Sequence, residues 1–163
     1  MTRASCAISR RCAKLHELRF YYKQALDAML IGTYLDYGRY IYPYGEYALY
    51  HIAGICSQSG DLKTFCHPAL WTLMAYDEEY GTAFTQSLYA YLNNFRNISK
   101  AAASLNLHRN TFVYHLQRIG EIMEIDLTDY HTSQLIEFSF TLLEYEKKLN
   151  FKRRRSNKIE KEN

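Results

Sequence analysis

One stretch, Asn97–Met123, constrains the fold most, because it is patterned as two short helices joined by a tight turn. Asn97 is a good N-cap for the first helix, since its side-chain oxygen can accept from the free N–H groups of the first turn. Residues 106–108 supply a turn of the usual length, and Asn106 tolerates the left-handed conformation that a helix exit needs. Apolar residues fall on one face of each helix: Ile98, Ala102 and Leu105, then Phe112, Leu116, Ile119 and Met123. The pattern predicts a helix-turn-helix.

The other face of the second helix carries donors, acceptors and one aromatic ring: Asn110, Thr111, Tyr114, Gln117 and Arg118. Such a helix is expected to enter the major groove of double-stranded DNA with its first residues leading. Arg109 can then pair with guanine, Asn110 with adenine, and Thr111 with a phosphate or a thymine methyl group. Phosphate contacts are expected from Tyr114 and Arg118 of the second helix and from Ser99 and Lys100 of the first. The full predicted contact set is Ser99, Lys100, His108, Arg109, Asn110, Thr111, Tyr114, His115 and Arg118.

Several of these residues have structural alternatives. Asn110 and Thr111 are equally suited to capping the helix. Tyr114 can pack on a neighbouring helix, and His108 can serve only as a turn residue.

Arg109 and Arg118 are the positions on which the DNA-binding hypothesis mainly rests. Arg118 can instead pair with Glu121 or Glu124 on its own helix. His115 is either a pH-sensitive contact or a neutral, solvated ring.

Length and charge set further bounds. The 163 residues fit one domain, or one domain with a remnant of another. The net charge of +3 is too small to establish a polyanionic partner by itself. No apolar run is long enough for a membrane span, and the N-terminus lacks the apolar core of a signal peptide. We therefore expect a cytoplasmic protein with no membrane partner.

The spacing of the cysteines argues against a metal centre, and the absence of known catalytic motifs argues against an enzyme. The four cysteines are irregularly spaced and form no CxxC pair, so reduced thiols are expected. A zinc site using Cys66 and His67 is conceivable, but it matches no common ligand spacing. The chain has no glycine-rich phosphate loop, no GxSxG and no HExxH. We predict no catalytic activity, no metal and no cofactor.

The N-terminal third is predicted to hold a helix over residues 15–31 that weakens at Gly32, a short strand over 39–42, and a helix over 46–55. Seven tyrosines fall between Tyr34 and Tyr50. Arg39 is the one basic residue among them, and this scarcity favours a half-buried aromatic surface over a stacking platform for nucleic acid. Residues 58–60 are the best domain boundary.

Residues 67–149 are predicted to form a compact bundle of about five helices. Pro68 suits a first turn, Gly81 a helix end, and Thr82 a cap for a helix with Phe84 to Phe95 on its inner face. Thr132 or Ser133 is expected to open the last helix, with an inner face of Leu135, Phe138, Leu142 and Leu149. The tail over 150–163 is expected to be disordered. Its basic run, Lys152–Arg155, is either a solvated terminus or an added phosphate contact.

The string His108-Arg109-Asn110-Thr111, followed by Tyr114, Leu116 and Arg118-Ile119, carries a family resemblance. With His67-Pro68-Ala69-Leu70 and Tyr76-Asp77, it makes residues 67–145 resemble the C-terminal DNA-binding domain of PucR-type (CdaR-type) bacterial transcriptional regulators. The two helices also resemble the Fis-type helix-turn-helix. This chain has His115 where that family usually has Arg, and Val113 where a polar or basic residue is common.

Residues 1–57 resemble the last segments of the GGDEF-like regulatory domain that precedes the helix-turn-helix in that family. The matching pieces include Ile8-Ser9, Gln24-Ala25, Ala28-Met29 and Gly32. No GGDEF string is present, so nucleotide cyclase chemistry is not implied. The resemblance implies the C-terminal portion of a longer regulator, with an effector that the sequence does not identify.

The predicted fold is mainly α: a helical bundle containing a Fis-like helix-turn-helix, preceded by a partial α/β regulatory-domain remnant. The expected domains are 1–57, the remnant; 61–149, the DNA-binding domain; and 150–163, the basic tail. The predicted function is sequence-specific DNA binding in transcription regulation, with a homodimer on two-fold DNA sites. The alternative is a helical protein-interaction or dimerisation module that has lost DNA binding.

Overall fold

The computed structural model describes residues 4–36 and 38–159, with side chains as far as residue 147. It is mainly helical, with two short strands, β1 (Cys6–Ile8) and β2 (Ile41–Pro43). Helices α1 to α7 span Leu18–Leu35, Tyr44–Ser59, Pro68–Tyr80, Phe84–Asn93, Ile98–Ser104, Arg109–Met123 and Tyr130–Ile159. Two compact units are present: Phe65–Phe140, and the described residues on either side of it. Among the described helices, none combines the length and the hydropathy needed to cross a membrane.

The N-terminal unit is built on a short parallel pair of strands. Cys6 of β1 lies opposite Ile41 of β2, and Ile8 lies opposite Pro43. Parallel strands need a crossover connection, and α1 provides it. Ala28 of α1 and Tyr47 of α2 pack with Tyr42 in a small buried cluster between the helices and the strands.

Gly32 has a role that its position in the sequence did not suggest. The sequence predicted a weakening of the first helix there, but α1 continues to Leu35. A Cβ atom at Gly32 would lie 2.1 Å from Cδ1 of Tyr42, so only glycine lets the helix approach that ring. At the other end, residues 15–17 form a 3-10 turn and α1 begins at Leu18. The predicted start was therefore three residues early.

The tyrosine-rich segment is a partly buried aromatic surface, which confirms the structural interpretation for its described members. Tyr42 and Tyr47 are each 2 % exposed. The Tyr47 hydroxyl donates to Asp36 at 2.8 Å, and burial together with this carboxylate raises the pKa of Tyr47 to about 12. Tyr50 donates to Glu144 at 2.8 Å. Tyr37 lies outside the described residues.

The first helix of the second unit begins and ends where the sequence predicts. Pro68 occupies the first turn of α3, whose N-cap is His67, and Gly81 ends that helix in the left-handed conformation with a φ of 64°. Thr82, however, is not the cap of the next helix. The Asp77 carboxylate accepts from the backbone N–H groups of Phe84 at 2.9 Å and Thr85 at 2.7 Å, so α3 caps α4 from outside.

The predicted inner face of α4 is wrong at Phe95. The helix ends at Asn93, and Phe95 and Arg96 both adopt positive φ as the chain turns toward α5. The Phe95 side chain is 94 % exposed. The apolar periodicity was extended one turn too far, because backbone reversal overrides side-chain spacing there.

The last helix differs from the prediction in its start and in its inner face. It begins at Tyr130, and the Asp129 carboxylate accepts from the Thr132 N–H at 2.8 Å. Ile136 is fully buried, whereas the predicted Leu135 is exposed. Leu142 is fully buried as predicted, and Ser133 and Ser139 share the buried stripe with it and with Ile136.

Helix α7 also continues to Ile159, through residues 150–159 that the sequence predicted to be disordered. Lys and Arg are good helix formers, and extending an existing helix avoids the unfavourable nucleation step. Residues 160–163 of the predicted tail, and the side chains of Leu149 and of Lys152–Arg155, lie outside the description.

Candidate nucleic-acid interface

Helices α5 and α6 form the predicted helix-turn-helix, with the predicted cap. The Asn97 side chain accepts from the Lys100 N–H at 3.0 Å and starts α5. Asn106 has a φ of 54°, the left-handed conformation that was expected. The next N–H, that of Leu107, returns to the Ala102 carbonyl oxygen at 2.9 Å and closes the turn. These local bonds fix the direction in which α6 leaves α5.

A core of small residues holds the two helices together. Ala101 and Ala102 of α5 are buried against Phe112 of α6 and Ala90 of α4. Alanine side chains let two helices approach closely while Phe112 fills the remaining space. Along α6, Ile119 and Met123 continue the buried face. The predicted inward stripe of α6 is therefore confirmed.

His108 is the N-cap of α6, and its Nδ1 accepts from the Asn110 N–H at 3.2 Å. The side chains of Asn110 and Thr111 are thus not needed for capping, and both are exposed. Arg109, the first residue of α6, is exposed as well. The start of α6 therefore offers one guanidinium, one amide and one hydroxyl to solvent, with no acidic residue in that turn.

Seven of the nine predicted contact residues are exposed and lie on α5, on α6 or in the turn between them: Ser99, Lys100, His108, Arg109, Asn110, Thr111 and Tyr114. They can reach an external partner without any movement of the core. Val113, which stands where the PucR-type family commonly has a polar or basic residue, is 40 % exposed on the same helix.

Arg118 is only half exposed and is already engaged. Its guanidinium forms an ion pair with Glu121, one turn further along α6. The Tyr76 hydroxyl of α3 and Glu121 both stabilise the charged form and raise the pKa of Arg118. The intrahelical alternative for Arg118 is therefore present in the structure.

His115 stands apart from the exposed set. It is half-buried against α4, where its Nδ1 lies 2.8 Å from the Ser87 hydroxyl and its ring meets Phe84 edge-on. Neither alternative drawn from the sequence described this environment. The signal in the sequence was the spacing of His115 three residues after Phe112, which places it beside the buried stripe.

Sequence reasoning also missed two residues that shape the interface from α3. Asp77 caps α4, and Tyr76 holds Arg118. Both lie more than five residues from the group they contact, so no local pattern marks them.

Among the described residues, no group of three or more His, Cys, Asp or Glu side chains could hold a metal ion. All four cysteines are described, and no disulfide joins them.

Comparison with known proteins adds independent information on the same segment. Residues 84–142, which contain α4, α5 and α6, match the family described as the PucR C-terminal helix-turn-helix domain. No solved structure matches the chain significantly.

Three curated relatives come from Bacillus subtilis (strain 168). The proline-responsive transcriptional activator PutR is 32 % identical over 91 residues, covering 56 % of this chain and 22 % of PutR. The DNA-binding transcriptional activator AdeR is 24 % identical over 107 residues, covering 65 % of this chain and 25 % of AdeR. The purine catabolism regulatory protein is 26 % identical over 138 residues, covering 85 % of this chain and 26 % of the relative.

The chain spans about a quarter of the length of these relatives. The resemblance inferred from the motifs is confirmed for residues 84–142. The geometry of α5 and α6 and the domain match agree on a helix-turn-helix of the PucR C-terminal type within residues 84–142.

Proposed function

We propose that this chain is the DNA-binding part of a sequence-specific transcriptional regulator, with α6 as its recognition helix in the major groove. One observation carries the proposal: α6 buries one face against α5 and α4 while its first turn presents polar side chains to solvent. A helix held in this way can insert its exposed N-terminal turn into the groove as a rigid element.

Base readout is assigned to the first turn of α6. The Arg109 guanidinium suits the N7 and O6 acceptors of guanine, and the Asn110 amide suits adenine. Each such bidentate contact is worth roughly 1–3 kcal/mol of discrimination between bases. Thr111 would touch a thymine methyl group or a phosphate.

Phosphate contacts are assigned to exposed side chains that flank this turn. Ser99 and Lys100 of α5, His108 and Tyr114 can donate to phosphate oxygens, which fixes register without reading sequence. Arg118 joins this group, although its guanidinium shares its donors with Glu121. A guanidinium has five N–H donors, so one ion pair does not exhaust it.

The experiment that tests the proposal is a fluorescence-anisotropy titration of a labelled duplex. The duplex is selected from a random-sequence pool with this chain. Arg109→Ala is expected to lower its affinity about tenfold or more and to flatten the preference at one base pair. Arg19→Ala is the matched control, because Arg19 is an exposed cation on α1 and its loss changes the net charge equally. Equal effects of the two substitutions would show non-specific attraction rather than readout.

The alternative function is a helical interaction module, and it predicts that the unmodified chain does not bind DNA. DNA binding through phosphates weakens steeply with salt, because counterions are released on binding. Absence of any salt-dependent binding by the unmodified chain would favour the alternative.

Domain boundaries and location are part of the same proposal. We assign residues 61–149 to the DNA-binding domain and 1–57 to the end of a GGDEF-like regulatory domain. The parallel β1–α1–β2 unit followed by α2 supports the second assignment. We also propose a cytoplasmic location and regulation by a small-molecule effector of unknown identity, since PutR is named as proline-responsive.

A homodimer is proposed because one helix-turn-helix makes few contacts and two-fold DNA sites bind two copies. The surface that supports it is an apolar stripe at and along α1, whose members are between 46 % and 85 % exposed: Leu15, Leu18, Tyr22, Leu26 and Leu30. A single soluble chain seldom leaves such a contiguous stripe uncovered. Light scattering should show a dimer that Leu26→Glu dissociates and that Glu78→Lys, an exposed change on α3, leaves intact. A monomer at all concentrations would refute the proposed dimer.

A further inference from the structure

The contacts of His115 give it a role different from the direct DNA contact predicted from the sequence. Its Nδ1 lies 2.8 Å from the Ser87 hydroxyl of α4. Its ring meets the Phe84 ring edge-on, at 5.1 Å between centroids and 86° between planes. Ser87 is itself 1 % exposed, and its hydroxyl also donates to the Ala83 carbonyl at 3.2 Å. The imidazole is therefore tied to the first turn of α4.

The charges around this ring are few. The ionisable groups near it are Asp77 of α3, Tyr114, whose ring centroid lies 6.3 Å from that of His115, and Tyr76 of α3, whose ring centroid lies 6.0 Å from that of Phe84. From α4, the ring faces Ser87 and Phe84, neither of which carries a charge. Asp77 alone among these groups favours the imidazolium appreciably. Its carboxylate is already engaged by the backbone N–H groups of Phe84 and Thr85.

Burial opposes the charged ring more than Asp77 favours it. Desolvation lowers the pKa of His115, and the attraction to Asp77 offsets only part of that effect. The ring is thus neutral at physiological pH, where it keeps its place between α4 and α6.

We propose that His115 is a positioning residue for DNA recognition: its neutral ring holds α6 against α4 and so orients Arg109 and Asn110. Protonation places a charge in a partly desolvated site and weakens that hold. The inference rests on the proposed DNA-binding function and assigns His115 a place in it. DNA affinity should then fall on acidification. A direct phosphate contact by His115 would instead make affinity rise on acidification.

The first test uses no DNA and remains valid if the chain binds none. Because the pKa of folded His115 lies below the unfolded value of about 6.5, the unfolded chain binds the proton more readily. The stabilising effect is fully present above about pH 6.5 and is lost as pH falls through the folded pKa. Urea unfolding midpoints from about pH 8 to about pH 5 should fall less in His115→Asn than in the unmodified chain. An identical fall in both proteins would overturn the inference.

The second test measures DNA affinity over the same pH range, with the duplex selected at about pH 8. The ratio of the affinity of the unmodified chain to that of His115→Asn should fall about threefold or more on acidification, because the effects of all other titrating groups cancel in this ratio. His131→Asn is the control, since His131 is exposed on α7. Affinity that rises on acidification through His115 would show a direct phosphate contact and overturn the positioning role.

Ser87→Ala provides a second route if His115→Asn does not fold. It removes the hydroxyl partner and leaves the imidazole in place, so affinity at about pH 8 should fall while the salt dependence stays unchanged. An unchanged affinity in Ser87→Ala would contradict the proposed hold. Failure of the unmodified chain to bind any duplex would refute the proposed function, whereas the unfolding measurement would still test the His115 contact.

Discussion

Asp77 of α3 caps α4 by accepting the backbone N–H of Phe84 at 2.9 Å. The same carboxylate accepts from the Thr85 N–H at 2.7 Å and from the Thr82 hydroxyl. One side chain thus satisfies three donors at the point where α3 and α4 meet. Because α4 packs against both helices of the helix-turn-helix, this cap also bears on the mounting of α6.

Asp77→Ala should destabilise the second unit by about 1–3 kcal/mol, because it leaves two helix N–H groups and a hydroxyl without their acceptor. Urea unfolding followed by circular dichroism measures the loss. Glu78→Gln is the matched control, since Glu78 is the exposed neighbour of Asp77 on α3. Equal stability of the two variants would show that the cap contributes nothing.

Acid should weaken the same contact. Burial alone would raise the pKa of Asp77, but the hydrogen bonds from Thr82, Thr85 and Phe84 outweigh it, and the net pKa is lowered. A carboxylate with a lowered folded pKa stabilises the fold above its unfolded value of about 3.9, and the effect is lost as pH falls through the folded pKa. The unfolding free energy should therefore drop less on acidification below about pH 4 in Asp77→Asn than in the unmodified chain.

Gly32→Ala should destabilise the N-terminal unit by about 1–3 kcal/mol, since the added methyl group would overlap the Tyr42 ring. Hydrogen exchange should show the loss in α1 and β2, and much less in α5 and α6. Gly45→Ala is the control: its Cβ would meet nothing within 4 Å, and alanine favours a helix over glycine by up to about 1 kcal/mol. If Gly32→Ala is as stable as Gly45→Ala, the close approach of α1 to Tyr42 is refuted.

Glu124→Gly should stabilise the second unit by about 0.5–1 kcal/mol. Glu124 ends α6 in the left-handed conformation, with a φ of 52°, which glycine adopts without the steric cost of a Cβ atom. Glu124→Ala is the comparison that removes the charge and keeps the Cβ. Thermal unfolding should rank the glycine variant above the alanine variant, and the reverse order would argue against a left-handed end at this position.

The helix-turn-helix was predictable because its determinants are local. The Asn97 cap, the left-handed Asn106 and the buried Phe112 each follow from residues within one or two turns. Periodicity failed where the chain reverses, at Phe95, and where serines share an inner face, at Ser139 of α7.

Contacts that join distant residues could not be predicted from spacing. The Gly32–Tyr42 approach depends on the crossover that brings α1 onto β2. The His115–Ser87 contact depends on how α4 crosses α6. Seven of the proposed contact residues, all chosen from the motif, are exposed as predicted, whereas the ion pair of Arg118 and the partial burial of His115 needed the tertiary structure.

Glu121→Gln should strengthen DNA binding about two- to fivefold at low salt, because it releases the Arg118 guanidinium and removes a negative charge from α6. The salt dependence should also steepen, since the charge of Arg118 is no longer shared between Glu121 and a phosphate. Glu124→Gln is the matched control, with the same charge change at the end of the same helix and no ion pair to Arg118 in the described structure. The double variant Glu121→Gln, Arg118→Ala should lose the gain. If Glu124→Gln strengthens binding as much as Glu121→Gln does, the effect comes from net charge. The ion pair with Glu121 then does not limit the contact between Arg118 and DNA.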